Sequence, residues 1–136
     1  MTDRELSGLI LKCAFKVHTA LGPGLLESVY RKALAYELRK HGLLAEEEYP
    51  IEVSYDDVSM GIGFRIDIWV ERRYVLELKV ERAIIDDHIA QTLSYLRFSK
   101  TKFGIILNFM EIRLHPKGIK RLIYDPAYFK KNYQRP

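Results

Sequence analysis

The chain has 136 residues, 48% apolar and 29% charged, and at 16.0 kDa it reads as one globular domain that can bury a core without disulfides or structural metal. No apolar run approaches the length that crosses a bilayer, and a single cysteine, Cys13, excludes a disulfide framework and reads as core filler in a reducing compartment. A net charge of +4 permits nucleic-acid binding without requiring it.

The first helix is predicted from Asp3 to Ala20, with Leu6, Ile10, Cys13, Val17 and Leu21 at three- and four-residue spacing. Met1 to Glu5 opens that polar helix rather than a signal peptide, so a cytoplasmic protein is expected. Gly22-Pro23-Gly24 breaks the pattern. A second helix is predicted from Leu25 to His41, stopped by Gly42 and burying Leu26, Val29, Ala33, Leu34 and Leu38. Glu27 falls in its first turn, where the helix dipole accounts for an acid by itself, yet it is also a candidate third carboxylate. His18 is open to two readings as well, a ligand or a hydrogen-bonded histidine near a helix end.

A strand is predicted from Ile51 to Tyr55, with Pro50 at its start and a turn at Asp56-Asp57. The next two strands, Phe64 to Val70 and Tyr74 to Val80, carry the chemistry. Side chains alternate along a strand, so Arg65, Asp67 and Trp69 share one side of the first, and Val75, Glu77 and Lys79 one side of the second. If Glu71-Arg72-Arg73 is a three-residue loop, Val70 faces Tyr74 and Asp67 lies opposite Glu77; a two-residue loop slips the register and separates them. Opposed carboxylates are destabilising unless a cation sits between them, and their hard oxygens point to magnesium or manganese. Lys79 projects from the same side, placed to orient a water or to stabilise charge on a phosphate. The other sides, Phe64, Ile66, Ile68 and Val70 with Tyr74, Leu76, Leu78 and Val80, are apolar and are expected to pack on a core. A plain amphipathic hairpin with one wet face fits the same pattern, so these strands alone leave both readings open.

A third helix, from Asp86 to Ser99, is expected to bury Ile85, Ile89, Leu93 and Leu96, while His88, Gln91 and Tyr95 share a different face. It leaves directly from the strand of Glu77 and Lys79. Gln91 and Tyr95 then either reach a bound phosphate or water or remain surface hydrogen-bonding groups. An apolar strand at residues 103–109 completes a strand, helix, strand crossover, which implies two parallel strands in right-handed connection. A last strand, from Ile119 to Tyr124, follows the Pro116-Lys117-Gly118 turn. The domain is expected over residues 1–124, and the basic segment 125–136 reads as a partly ordered tail.

In chain order, Gly24-x-x-Glu27-x-x-Tyr30, Arg65-Ile66-Asp67, Glu77-Leu78-Lys79, His88-x-x-Gln91-x-x-x-Tyr95 and the stretch from Gly104 to Phe109 resemble the GxxExxY protein family, which is placed in the PD-(D/E)xK nuclease-like superfamily. The resemblance runs from about Leu6 to Tyr124. It implies an α/β, restriction-endonuclease-like core, a mixed central sheet of about four to five strands flanked by helices, with a magnesium-dependent site. It further implies that Asp67 and Glu77 hold Mg2+ or Mn2+ with Glu27 as a third acid, and that Lys79 positions the attacking water. Gln91 and Tyr95 match the QxxxY element of RecB-type members and are expected to orient the phosphate. Ile66 stands where the superfamily's eponymous proline would. The expected function is metal-dependent hydrolysis of phosphodiester bonds in nucleic acid, DNA favoured, away from membranes and compatible with a homodimer. Two rivals stand beside it: a nucleic-acid-binding module without useful turnover, and an interaction subunit whose charges form a structural network.

Overall fold

Helix α1 (Asp3–Leu21) starts at Thr2, whose hydroxyl accepts the Glu5 N–H at 3.1 Å while the Glu5 carboxylate accepts the Thr2 N–H, so two otherwise orphaned donors are satisfied. In this computed structural model, which describes residues 1–133, α1 buries Leu6, Ile10, Cys13 and Val17 as expected, whereas Leu21 is exposed at the helix end. Helix α2 (Glu27–Lys40) begins two residues later than its pattern suggests. Leu26 is its extended N-cap (φ −66°, ψ 146°), so the helix presents Tyr30, Leu34, Ala35 and Leu38 to the core, and Leu26 and Val29, expected in the stripe, face solvent.

Strand β1 (Ala45–Tyr55) pairs antiparallel with β2 (Val58–Val70), and begins six residues before the predicted strand because Glu46-Glu47-Glu48, a poor strand sequence by itself, finds tertiary partners. Arg72 binds Glu46 through two hydrogen bonds of 2.9 and 3.0 Å and lies over the rings of Tyr49 and Trp69, while Arg31 and Arg39 reach Glu47 at 3.3 and 3.1 Å. Strand β3 (Tyr74–Lys79) pairs antiparallel with β2 and parallel with β4 (Phe103–Asn108), with α3 (Asp86–Ser99) between them in sequence. Strand β5 (Ile119–Ile123) closes the order β1-β2-β3-β4-β5, a five-stranded mixed sheet. Residues Pro126–Tyr133, within the segment read as a tail, form helix α4, and residues 134–136 lie outside the described ones.

The sheet is covered on both faces. Leu6 and Ile10 of α1 and Leu34 and Leu38 of α2 pack with Ile68, Val70, Leu76, Leu78, Ile105 and Leu107, while Leu96 of α3 packs with Ile66, Trp69 and Val75. A Cβ on Gly104 would lie 3.2 Å from the Leu96 methyls, which shows how closely α3 sits on β4. Ile85, expected in the α3 core stripe, is instead the extended N-cap and is exposed. Phe64 and Ile66 also depart from simple alternation, joining Trp69 on the α3 face rather than Ile68 and Val70. Glu48 sits across the ladder at this point with φ 47°, and such a left-handed residue in mid-strand interrupts the two-residue period. Among the described residues, no helix is long and apolar enough to cross a membrane.

Candidate active site

The hairpin loop has the expected three residues. Val70 pairs with Tyr74, Arg73 N–H donates to the Val70 carbonyl at 2.9 Å, and Glu71 and Arg72 take left-handed φ values of 52° and 53°. From there the ladder runs through Trp69↔Val75 to Ile68↔Leu76 and stops. At the next step the Asp67 carboxylate replaces a backbone partner, its Oδ2 accepting the Leu78 N–H at 2.8 Å. The strands part around that carboxylate, and Glu77 shares the resulting notch with it.

Other elements converge on the notch from both faces of the sheet. Lys79 Nζ lies 3.7 Å from Glu77 Oε1 and donates to Gln91 Oε1 of α3 at 3.2 Å. Tyr95, one turn further along α3, stacks on Phe64 with ring centroids 4.1 Å apart. Burial and the charges of Glu77 and Asp67 push its hydroxyl up to about 12, so it stays protonated as a donor. Glu27, the first residue of α2, approaches from the opposite face. Burial raises its proton affinity, and the nearby Asp67 charge raises it further.

Desolvation dominates the acids themselves. Burial, then the charge of Asp67 and the contact with it, pushes the Glu77 carboxyl up to about 9. Asp67 is raised by burial too, although the Leu78 N–H and Lys79 oppose the shift. Two carboxylates this close share a proton at neutral pH unless a cation takes its place. Glu77 Oε2 is buried and has no hydrogen-bond partner, a costly arrangement that a hard divalent ion between the two acids would relieve. Among the described residues no three His, Cys, Asp or Glu side chains gather closely enough to hold a metal. A divalent ion at this notch would have Asp67 and Glu77 as its carboxylate ligands and would need water or other oxygens for its remaining positions.

The Gly24-x-x-Glu27-x-x-Tyr30 spacing has a local physical basis. Tyr30 is fully buried and stacks on Phe109 at 4.7 Å. Its hydroxyl donates to the Gly22 carbonyl at 2.5 Å and accepts the Leu25 N–H at 3.2 Å. Gly22 and Gly24, with φ of 67° and 104°, supply the left-handed turns that Tyr30 pins. One helical turn before Tyr30, Glu27 is thereby held over the notch. Tyr30→Phe keeps the ring and loses both bonds, so it is expected to cost about 1–2 kcal/mol of stability and to speed amide exchange at Leu25 while leaving exchange in β3 unchanged. Unaltered exchange at Leu25 would show that the hydroxyl does not hold the loop.

Of the remaining candidates, His18 is structural, its Nε2 bonded at 2.7 Å to the Glu111 carbonyl beside Phe109. His88 does not join Gln91 and Tyr95 at the notch, since its Nδ1 accepts the Ile85 N–H as a cap of α3. Two residues escaped the sequence reading. Asn108 is fully buried; its amide donates to the Glu81 carbonyl at 2.9 Å and its oxygen accepts the Glu81 N–H at 3.1 Å, clamping the chain just beyond Lys79. A lone amide closing the apolar run from Phe103 to Leu107 was its signal. Arg31, four residues after Glu27, is ion-paired to Glu47 and Glu48, and its charge favours the ionised forms of Asp67 and Glu27.

Residues 4–122 match the family model of the PD-(D/E)XK nuclease superfamily, and the five-stranded mixed sheet flanked by helices agrees with a restriction-endonuclease-like fold. No curated protein and no solved structure matches the chain.

Proposed function

We propose, given that this chain belongs to the PD-(D/E)XK nuclease superfamily, that it is a divalent-metal-dependent nuclease of the GxxExxY type, hydrolysing phosphodiester bonds in DNA. The observation that carries the reading is Glu77, a buried carboxylate with one unpartnered oxygen, set against Asp67 in a notch that Lys79 shares.

Asp67 and Glu77 would hold Mg2+ or Mn2+, with Glu27 acting through water from the α2 side. When bound, the ion stabilises charge on the phosphoryl oxygens and makes a coordinated water more acidic. Lys79, steadied by Gln91 and Glu77, orients the attacking water and balances negative charge accumulating on the phosphate. Tyr95 donates its hydroxyl proton in a hydrogen bond to a phosphate oxygen, and its stacking on Phe64 limits the directions it takes. The buried Cys13 thiol, without a second cysteine in the chain, suits a reducing cytoplasmic compartment.

Labelled single-stranded, duplex and branched DNA and RNA, incubated with magnesium, manganese or chelator, test the reading. Cleavage of DNA is expected only with metal, and Asp67→Asn should abolish it at unchanged fold. Metal-dependent binding with no cleavage of any substrate would favour the binding-module rival.

A further inference from the structure

Residues 100–124 hold six cations, Lys100, Lys102, Arg113, Lys117, Lys120 and Arg121, against one acid, Glu111. All six are exposed, and none enters an ion pair among the described residues. The other side of the sheet differs. Beside β1, Arg31, Arg39 and Arg72 are held by Glu46, Glu47 and Glu48, and residues 52–63 carry Glu52, Asp56 and Asp57 with no cation. Strands β1 and β5 are the two edges of the sheet, so the β5 edge carries a run of unneutralised positive charge that the β1 edge lacks.

Register ties this edge to the notch. Glu77 pairs with Ile106, and Ile106 with Lys120. Paired residues point to the same side of a sheet, so Lys120 leaves the face that carries Glu77, two strands away or roughly 10 Å. Two residues beyond Glu77, Lys79 pairs with Asn108, whose N–H donates to the Gly118 carbonyl at 2.8 Å. Lys117, the residue before Gly118, therefore stands at the Lys79 end of the sheet. Strand β5 runs antiparallel to β4 and so leads away from that end, with Lys120 and Arg121 on opposite faces, to Tyr124, whose N–H donates to the Lys102 carbonyl at 2.8 Å. From Ile119 to Tyr124 the edge spans roughly 17 Å at strand rise, the axial length of about five base pairs.

Edge strands commonly carry charge that discourages strand addition, but either sign serves that purpose. Six unpaired cations against one acid suit a polyanion. Resting on the nuclease reading above, we propose that the DNA whose scissile phosphate lies at the notch runs its backbone past Lys117 and along the β5 edge, where Lys120, Arg121 and Lys102 contact phosphate oxygens. Such contacts fix the path of the strand and read no base sequence. The acidic segment 52–63 repels the same backbone on the other side of the notch, which sets the direction of the path.

Anisotropy of a labelled DNA duplex, titrated with protein in chelator over a salt series, reads binding without cleavage. Wild type is expected to bind, with affinity falling as salt rises. Lys120→Gln with Arg121→Gln should lower the slope of log Kd against log salt by about two. Lys120→Glu with Arg121→Glu keeps the edge charged and should weaken binding about tenfold or more, at an unchanged unfolding temperature because both side chains are exposed. Arg4→Glu with Lys32→Glu makes the same change in net charge on α1 and α2 and should leave affinity near that of wild type. Equal losses from the two pairs would reduce the effect to net charge and overturn the proposal, as would a wild type that binds no duplex at low salt. Edge-dependent binding without metal-supported cleavage would sink the nuclease reading alone, whereas cleavage with binding indifferent to the edge would sink this path alone.

Discussion

Lys79→Ala is expected to lower metal-supported cleavage of DNA by about two to four orders of magnitude while leaving magnesium binding intact. The split follows from what the ammonium touches. It lies 3.7 Å from Glu77 Oε1 and bonds Gln91 Oε1 at 3.2 Å, so it stands beside the acids as a positive charge that repels a metal ion rather than ligating it. Its contribution begins when water and phosphate are both in place, and its loss appears in turnover. Glu77→Ala should behave differently, because removing one of two carboxylate ligands weakens metal binding and cleavage together. Calorimetric magnesium titration beside the cleavage assay, on identically purified wild type and variants, separates the two outcomes. If Glu77→Ala cleaves as well as wild type, the activity is a contaminant and the site reading fails.

Without metal, Glu77→Gln should be more stable than wild type at alkaline pH, by on the order of several kcal/mol at the upper end of the range. The Glu77 carboxyl rises from its ordinary 4.5 to about 9 on folding. Between those values the folded chain holds a proton that the unfolded chain has released, so stability is full below about 4.5 and is lost as pH climbs through about 9. Glutamine keeps the shape of the protonated acid and does not titrate, so the variant's stability curve should be flatter across this window. Magnesium should release the proton and stabilise wild type at alkaline pH, and should do little for the variant. Denaturant unfolding at a series of pH values, with and without magnesium, measures all four curves. Parallel curves for wild type and Glu77→Gln would show that burial of this acid carries no penalty, and with it would go the reason for placing a cation there. A protein more stable without its own carboxylate is the signature of a group kept for chemistry rather than for folding.

The hairpin was legible because its geometry is local. A three-residue loop sets the register, and the observed Val70↔Tyr74, Trp69↔Val75 and Ile68↔Leu76 pairs follow from it, ending one step short of Asp67 and Glu77. Helix α3 was equally legible, with Asp86 to Ser99 spanning the observed helix and Gln91 and Tyr95 on the side that meets the notch. The order of strands and helices came from the same short-range periodicities, while the α/β, restriction-endonuclease-like class was what the family resemblance implied.

Tertiary structure decided what depends on which groups lose contact with water. Leu26 and Val29 have the spacing of a buried stripe, but the Tyr30 ring wins the core position because it stacks on Phe109 from another element. Glu46 to Glu48 become strand only because Arg31, Arg39 and Arg72 reach them. No local pattern showed that the Asp67 carboxylate would take the Leu78 N–H and part the strands, or that Glu27 would arrive from the opposite face of the sheet. The sequence by itself determined which residues could carry the chemistry and in what register. Their proton affinities and the opening of the notch were left to the packing of distant elements, because desolvation and charge proximity are properties of the assembled interior rather than of any stretch of chain.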